Sequence, residues 1–318
     1  MRYVEVDGLR LSRIGLGTWQ FGSWEWGYGE GYARETAPAL IRRALGLGIS
    51  LLDTAELYGF GRSERIIGRT LASLDDGEVR ELVVASKFLP IAPAEPIVAR
   101  QAAGSRRRLG VDAIDLYYVH WPNPFVSVRR TMQAVRPLLE AGVVRHVGVS
   151  NYRLGDWLEA ERALRAPVVA DQVRFSLLSP GPAIELVPYA AATGRVVVAY
   201  SPLAQGLLAG DRRASGGRAG AMRARDRRFS PAGRRRLEPL TTALAEVAAV
   251  HEATAAQVAL AWILSHPATV AIPGARTLEQ LDENAAAADL DLSAAEVERL
   301  SAEVERLSAE ALALRAGR

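Results

Sequence analysis

The chain has 318 residues, 49% of them hydrophobic and 24% charged, and a formal net charge of +3. These are ordinary globular values, enough for a large α/β core; no run reaches the roughly 18 apolar residues of a membrane span, and the charge is too small to mark a nucleic-acid surface. Cysteine is absent, which excludes disulfides and thiol chemistry, and the N-terminus MRYVEVDGLR lacks a basic-then-apolar signal pattern, so a cytoplasmic protein is expected.

Two alternating runs flank Asp7-Gly8 at the start of the chain, the signature of a β-hairpin. Short apolar runs then recur: IGLGT (14–18), ISLLD (49–53), LVVASK (82–87), IDLYYV (114–119), RHVGVS (145–150), VVADQ (168–172), RVVVAY (195–200) and TVAIPG (269–274). Helical patterns separate them, among them ETAPALIRRALGLG, SERIIGRTLASL, VSVRRTMQAVRPLLEAG and LEPLTTALAEVAAVHEA. Gly48, Gly142 and Gly194 stand where helix C-caps belong. Strand then helix, eight times, predicts an α/β protein built as a (β/α)8 TIM barrel. Strands that are apolar on both faces fit a buried parallel sheet. A doubly wound sheet is the rival, but no G-x-G-x-x-G follows an early strand. A single domain over 1–318 is expected.

Two segments break the rhythm. Residues 211–236 hold ten Arg and four Gly and read as a mobile loop, either solvated or acting as an arginine-bearing lid over an anionic cofactor. Residues 293–318 read as a C-terminal helix, in which AEVERLS (295–301) is repeated at once (302–308) and lengthens an amphipathic helix by two turns.

Chemistry in such a barrel sits at the C-terminal ends of the strands. Asp53 ends the second run, Lys87 the third, and His120 follows the fourth; Tyr58 lies in the loop after Asp53. Lys87 is the only lysine; every other of the 39 Lys and Arg positions is arginine. A remnant of codon bias is the plain explanation. The chemical one is that lysine is a compact cation able to act on a neighbouring acid, which arginine's wide fork is not. Asp53 would hold Lys87 charged, and Lys87 would lower the Tyr58 pKa from its usual value near 10. His120 would orient a substrate oxygen. The set offers a proton donor beside a positive pocket for a developing alkoxide, which suits carbonyl reduction given a hydride donor. No metal site is expected. Trp19, Trp24, Trp26 and Tyr28 in the first loop and Trp121 after His120 are expected to wall the substrate pocket, favouring ring-bearing carbonyls and leaving sugars open.

The motifs LLDTAELYGFGRSERIIG, VVASK, IDLYYVHWP, VGVSN, YSPLAQGLLAG and IPGARTLEQLDEN resemble the aldo-keto reductase family, nearest its bacterial branch of inositol-cluster and general-stress reductases. The resemblance runs from GLGTW (15–19) to about residue 287. It implies a (β/α)8 barrel closed at the bottom by a hairpin, and NADPH as cofactor, with NADH open. It implies the catalytic tetrad Asp53, Tyr58, Lys87 and His120, with Tyr58 as general acid. Ser150, Asn151 and Gln172 match the residues that hold the nicotinamide amide, and Tyr200 the ring that stacks on it. Ser201, Leu203, Gln205 and Gly206 match the pyrophosphate stretch. Gly274, Arg276, Gln280 and Asn284 match the adenosine end, where Arg276 suits a 2′-phosphate. Partners implied are a small carbonyl or sugar substrate, with a homo-oligomer open and neither nucleic acid nor membrane. One departure is QVRFSLLS at 172–179, where relatives often read Q-x-x-Y-N; it bears on substrate choice. Two alternatives stand beside the reductase: a Schiff-base lyase using Lys87, which a paired Asp53 would oppose, and a cofactor-bound scaffold with slow turnover.

Overall fold

The computed structural model describes residues 1–22, 29–210 and 226–316. Tyr3–Val6 (β1) and Leu9–Ser12 (β2) form the antiparallel hairpin, with Asp7 and Gly8 both at positive φ, 49° and 84°, in the two-residue turn. Eight parallel strands follow: Leu16–Gly17 (β3), Leu51–Asp53 (β4), Val83–Phe88 (β5), Ile114–Val119 (β6), Val144–Ser150 (β7), Val168–Arg174 (β8), Val196–Tyr200 (β9) and Thr269–Ala271 (β10). Each pairs with the next, and parallel bridges from Ile14 to Ala271 and from Gly17 to Gly274 close the ring. Each expected apolar run thus supplies one strand, in the expected order.

Helices at Ala37–Gly46, Arg62–Leu71, Glu95–Leu109, Val128–Glu140, Leu154–Leu164, Leu186–Thr193, Pro231–Val250 and Leu278–Ala286 follow the strands in turn. Gly48, Gly142 and Gly194 leave their helices at φ 75°, 68° and 67°, a left-handed turn that costs glycine nothing. The expected loop 211–236 needs correction at its end. Ser230 accepts the Gly233 N–H through its side chain and Pro231 fills the first turn, so 231–236 begin a helix. Residues 211–225 lie outside those described. In the last helix, Ala294–Ala316, the repeated heptad returns Leu300, Val304 and Leu307 to the buried face against helix 231–250.

Strand periodicity decides what reaches the cavity. Leu51, Val83, Ala85, Leu116, Tyr118, Ala170, Val196, Val198, Val270 and Ile272 fill the barrel interior, with Val6, Leu9 and Leu11 of the hairpin packed into the same cluster. Side chains alternate across a strand. Two residues beyond these interior positions stand Asp53, Lys87, His120, Gln172, Tyr200 and Gly274. The strands that build the core therefore deliver the site at its upper rim. Gly148 makes room within: a Cβ there would lie 2.5 Å from the Tyr118 ring.

Candidate active site

Lys87 is fully buried and its three ammonium protons are all used: Nζ donates to Asp53 Oδ1 at 2.6 Å, to the Thr54 carbonyl at 2.9 Å and to the Tyr58 hydroxyl at 3.3 Å. The second Asp53 oxygen accepts from Gln172 Nε2 at 2.7 Å. The loop carrying Tyr58 is held at several points. Glu56 accepts from the Leu89 N–H at 2.7 Å and from Gln101 Nε2 at 2.8 Å, which ties the loop to the end of β5. Thr18, Thr54 and Ser63 join hydroxyl to hydroxyl beneath it. The Tyr58 ring lies edge-on to His120, with centroids 5.9 Å apart, and His120 rests on Trp121 at 4.6 Å.

The electrostatics follow from enclosure. Burial would drive the Lys87 ammonium down, but the Asp53 carboxylate and Tyr58 outweigh it and the net shift is upward, so Lys87 stays charged. For Tyr58 the expected direction is corrected. Burial raises the phenol above its usual value, and the Lys87 charge offsets only part of that. The phenol is therefore protonated throughout the neutral range. Burial, and then the Lys87 charge, push His120 down to about 3. Its imidazole is neutral, and its buried Nδ1 has no hydrogen-bond partner among the described residues.

This has a consequence for stability. An unfolded imidazole takes up its proton below about 6.5, while the folded one does so only near 3. Folding stability is thus fully present above pH 6.5 and is lost as pH falls towards 3, by about 2 kcal/mol between pH 6.5 and 5. Chemical denaturation of wild type and His120→Gln over that interval should show a smaller loss in the variant; equal slopes would contradict it.

Above the tetrad a cavity of about 780 Å³ runs across the top of the barrel. Among its lining residues are Tyr58, His120, Ser150, Asn151, Gln172, Tyr200, Ser201, Leu203, Gln205, Gly206, Gly274, Arg276, Gln280 and Asn284. The sequence-predicted residues therefore converge on one space, with Asp53 also on its wall and Lys87 beneath, bonded to both Asp53 and Tyr58. Tyr200 donates from its hydroxyl to Asn151 Oδ1 at 2.9 Å, Asn151 Nδ2 donates to Ser150 Oγ at 3.0 Å, and Ser150 Oγ donates to the Gln172 carbonyl at 2.7 Å. Gln280 is committed locally, its Oε1 accepting the Arg276 backbone N–H at 2.9 Å. Trp19 and Trp121 line the cavity; Trp24, Trp26 and Tyr28 lie outside the described residues.

Sequence reasoning passed over two features. Arg174 also lines the cavity, because β8 runs two residues beyond the expected end at Gln172; its alternation with Gln172 was the available signal. The other is Asp171, which faces the opposite way from Gln172, is fully buried and, among the described residues, has no well-formed hydrogen bond to either carboxyl oxygen. Burial drives its pKa far up, and the nearby Tyr152 and Asn151 N–H groups offset only part of this. A buried carboxyl without a cation is pushed towards its protonated form, and keeping it buried costs folding free energy. Asp171→Asn, isosteric and uncharged, should gain about 1–3 kcal/mol near pH 7, read as a higher Tm; a lower Tm would show that the carboxyl has a use there.

The description "Aldo/keto reductase family" belongs to the family model that matches residues 13–305. The chain is 49% identical over 294 residues to the uncharacterised oxidoreductase Rv2298 of Mycobacterium tuberculosis, covering 92% of this chain and 90% of that protein. It is 32% identical over 298 residues to the methylglyoxal reductase YeaE of Escherichia coli, covering 92% and 91%. A crystal structure of an aldo/keto reductase from Klebsiella pneumoniae, in complex with NADP and acetate, superposes with a TM-score of 0.74 at 29% identity, covering 94% of this chain and 93% of that one. With a closed (β/α)8 barrel and this match along most of its length, the chain belongs to the aldo/keto reductase family.

Proposed function

We propose that the chain reduces aldehyde and ketone carbonyls to alcohols, or runs the reverse, with NADPH as cofactor and Tyr58 as the acid. The observation that carries this is Lys87, which bridges Asp53 and Tyr58 at the floor of the cavity.

The residues present fit an extended dinucleotide. The cavity runs from the tetrad past Tyr200 and on to Asn284. Tyr200 is fixed by Asn151 and can offer its ring as a stacking surface. Ser201, Ala204, Gln205 and Gly206 all have positive φ, coiling the chain into the kind of turn that presents N–H groups to anions. At Gly274 a Cβ would lie 2.8 Å from the Gln20 side chain, so glycine keeps that wall thin. Ser150, Asn151 and Gln172 would hold the nicotinamide amide, Ser201 to Gly206 the diphosphate, and Gly274, Arg276, Gln280 and Asn284 the adenosine end. A guanidinium at Arg276 favours a 2′-phosphate and hence NADPH over NADH. The Klebsiella pneumoniae reductase crystallised with NADP supports this choice.

When bound, NADPH supplies the hydride. The chain's own residues do the rest. Neutral His120 gives the carbonyl oxygen a hydrogen bond without placing a second cation beside Lys87. Tyr58 passes its proton to that oxygen as negative charge develops on it. Lys87, itself fully buried, stabilises the phenolate left behind, and away from water its charge acts strongly. Asp53 keeps Lys87 protonated, and Gln172 holds Asp53. A Schiff-base lyase needs the reverse, an uncharged lysine, and the saturated Lys87 argues against it.

Titrating the purified protein with NADPH and with NADH, by nucleotide fluorescence, tests the reading. Tight NADPH binding, weaker NADH binding and oxidation of bound NADPH by simple aldehydes are expected. Failure to bind either nucleotide would overturn it, and tight binding with negligible turnover across a broad carbonyl panel would favour the slow scaffold.

A further inference from the structure

Arg174 ends β8 on the same side of the strand as Gln172, and it rises to the rim of the cavity. Its guanidinium carbon lies 5.9 Å from the Tyr200 ring centroid. Among the described residues no carboxylate reaches ion-pair distance of it. Arg174 also borders a side pocket of about 20 Å³, which shares Ser201 and Gln205 with the main cavity and is walled further by Ser176, Ser179 and Arg228. The nearby carboxylate is Asp226, and Arg228 already holds it through Nη2 at 2.6 Å and Nε at 2.9 Å. That pair is neutral as a unit. On the tetrad, Asp53 and Lys87 likewise balance each other, and His120 is uncharged. Among the described residues Arg174 has no ion-pair partner and feels Asp226, which Arg228 already holds, only at longer range; it stands next to hydroxyl groups able to hydrogen-bond an anion.

Ring order separates Arg174 from the adenosine end of the proposed cofactor path, while its side pocket touches the diphosphate stretch at Ser201 and Gln205. That path leaves Tyr200 on β9 towards β10, where Gly274 and Arg276 follow, whereas Arg174 stands on β8. The guanidinium fork of Arg174 at the cavity rim has the geometry to hold a flat carboxylate through two parallel hydrogen bonds.

We propose that Arg174 is a specificity-determining residue that binds a carboxylate carried by the carbonyl substrate, so that the enzyme prefers oxo acids and formyl acids to their neutral analogues. This rests on the reductase reading above.

The test compares 4-formylbenzoate with its neutral methyl ester, in wild type, Arg174→Gln and Arg174→Lys, with NADPH affinity measured on the same samples by fluorescence. Wild type should favour the acid. In Arg174→Gln the KM for the acid should rise about tenfold, as loss of a charge-assisted hydrogen bond in a partly exposed site implies, while the KM for the ester and the NADPH Kd shift less than about twofold; Arg174→Lys should recover part of the loss. Equal changes for acid and ester would overturn the proposal. So would a large rise in the NADPH Kd, which would place Arg174 on a cofactor phosphate instead. A wild type that binds NADPH and reduces only the ester would overturn it and leave the reductase reading standing; one that binds no NADPH and reduces neither would overturn both.

Discussion

Lys87→Arg should lower kcat by about 10²–10³-fold, the scale of losing one preorganised electrostatic stabiliser, with NADPH affinity little changed. The ammonium sits in a sealed space and spends its three protons on Asp53, Thr54 and Tyr58. A guanidinium is larger and planar, and its donors diverge, so it cannot meet three acceptors that converge on one point. It would displace Tyr58 or turn Asp53 away from Gln172. Lys87→Met should be worse in a second way. It leaves the Asp53 carboxylate buried with Gln172 as its remaining side-chain donor, and breaking a buried pair from one side costs about 3–5 kcal/mol. Steady-state kinetics and thermal melts on both variants separate the two effects. Near-normal turnover in Lys87→Arg would make the lone lysine a codon remnant.

Tyr58→Phe should lower kcat by about 10²–10⁴-fold, the usual contribution of a positioned acid, with a smaller loss of stability than Lys87→Met. Removing the hydroxyl frees one proton of Lys87, which keeps its bonds to Asp53 and to the Thr54 carbonyl. The pH profile gives a second readout. The acid must be protonated to act, and burial raises the Tyr58 phenol above its usual value near 10. Reduction by wild type should therefore hold level through the neutral range and fall only on the strongly alkaline side. With His120 near 3, no inflection belongs near pH 6.5 either. A wild-type rate that falls between pH 7 and 9 would contradict the assignment.

The barrel was legible because its signals are local. Apolar runs of strand length, helical periodicity between them and glycine caps each speak within a few residues, and the hairpin at Asp7-Gly8 is a two-residue statement. The placement of Asp53, Lys87 and His120 at the top of the barrel was legible for the same reason, since strand ends can be counted. What could not be read is what forms across the ring. Gln172 donates to Asp53 across 119 residues of sequence, so a residue read as a nicotinamide contact also supports the tetrad. The direction of the Tyr58 shift cannot be read from a motif, which shows proximity to Lys87 but not the depth of burial. Arg174 stays hidden in the sequence because the apolar run VVADQ stops at Gln172, two residues short of the end of β8. Asp171 looks like an ordinary polar neighbour of Gln172 until its surroundings show that no cation among the described residues answers it. The heptad repeat in the last helix told the truth about its buried face, because Leu300, Val304 and Leu307 follow the period of the copy.

The most direct test of the proton-donor assignment is single-turnover oxidation of bound NADPH by an aldehyde, in wild type and in Tyr58→Phe, with NADPH binding measured on the same samples. The expected result is equal binding in both proteins, rapid oxidation in wild type and oxidation slowed by about 10²-fold or more in the variant. Oxidation at the wild-type rate in Tyr58→Phe would show that the proton comes from elsewhere and would contradict the account.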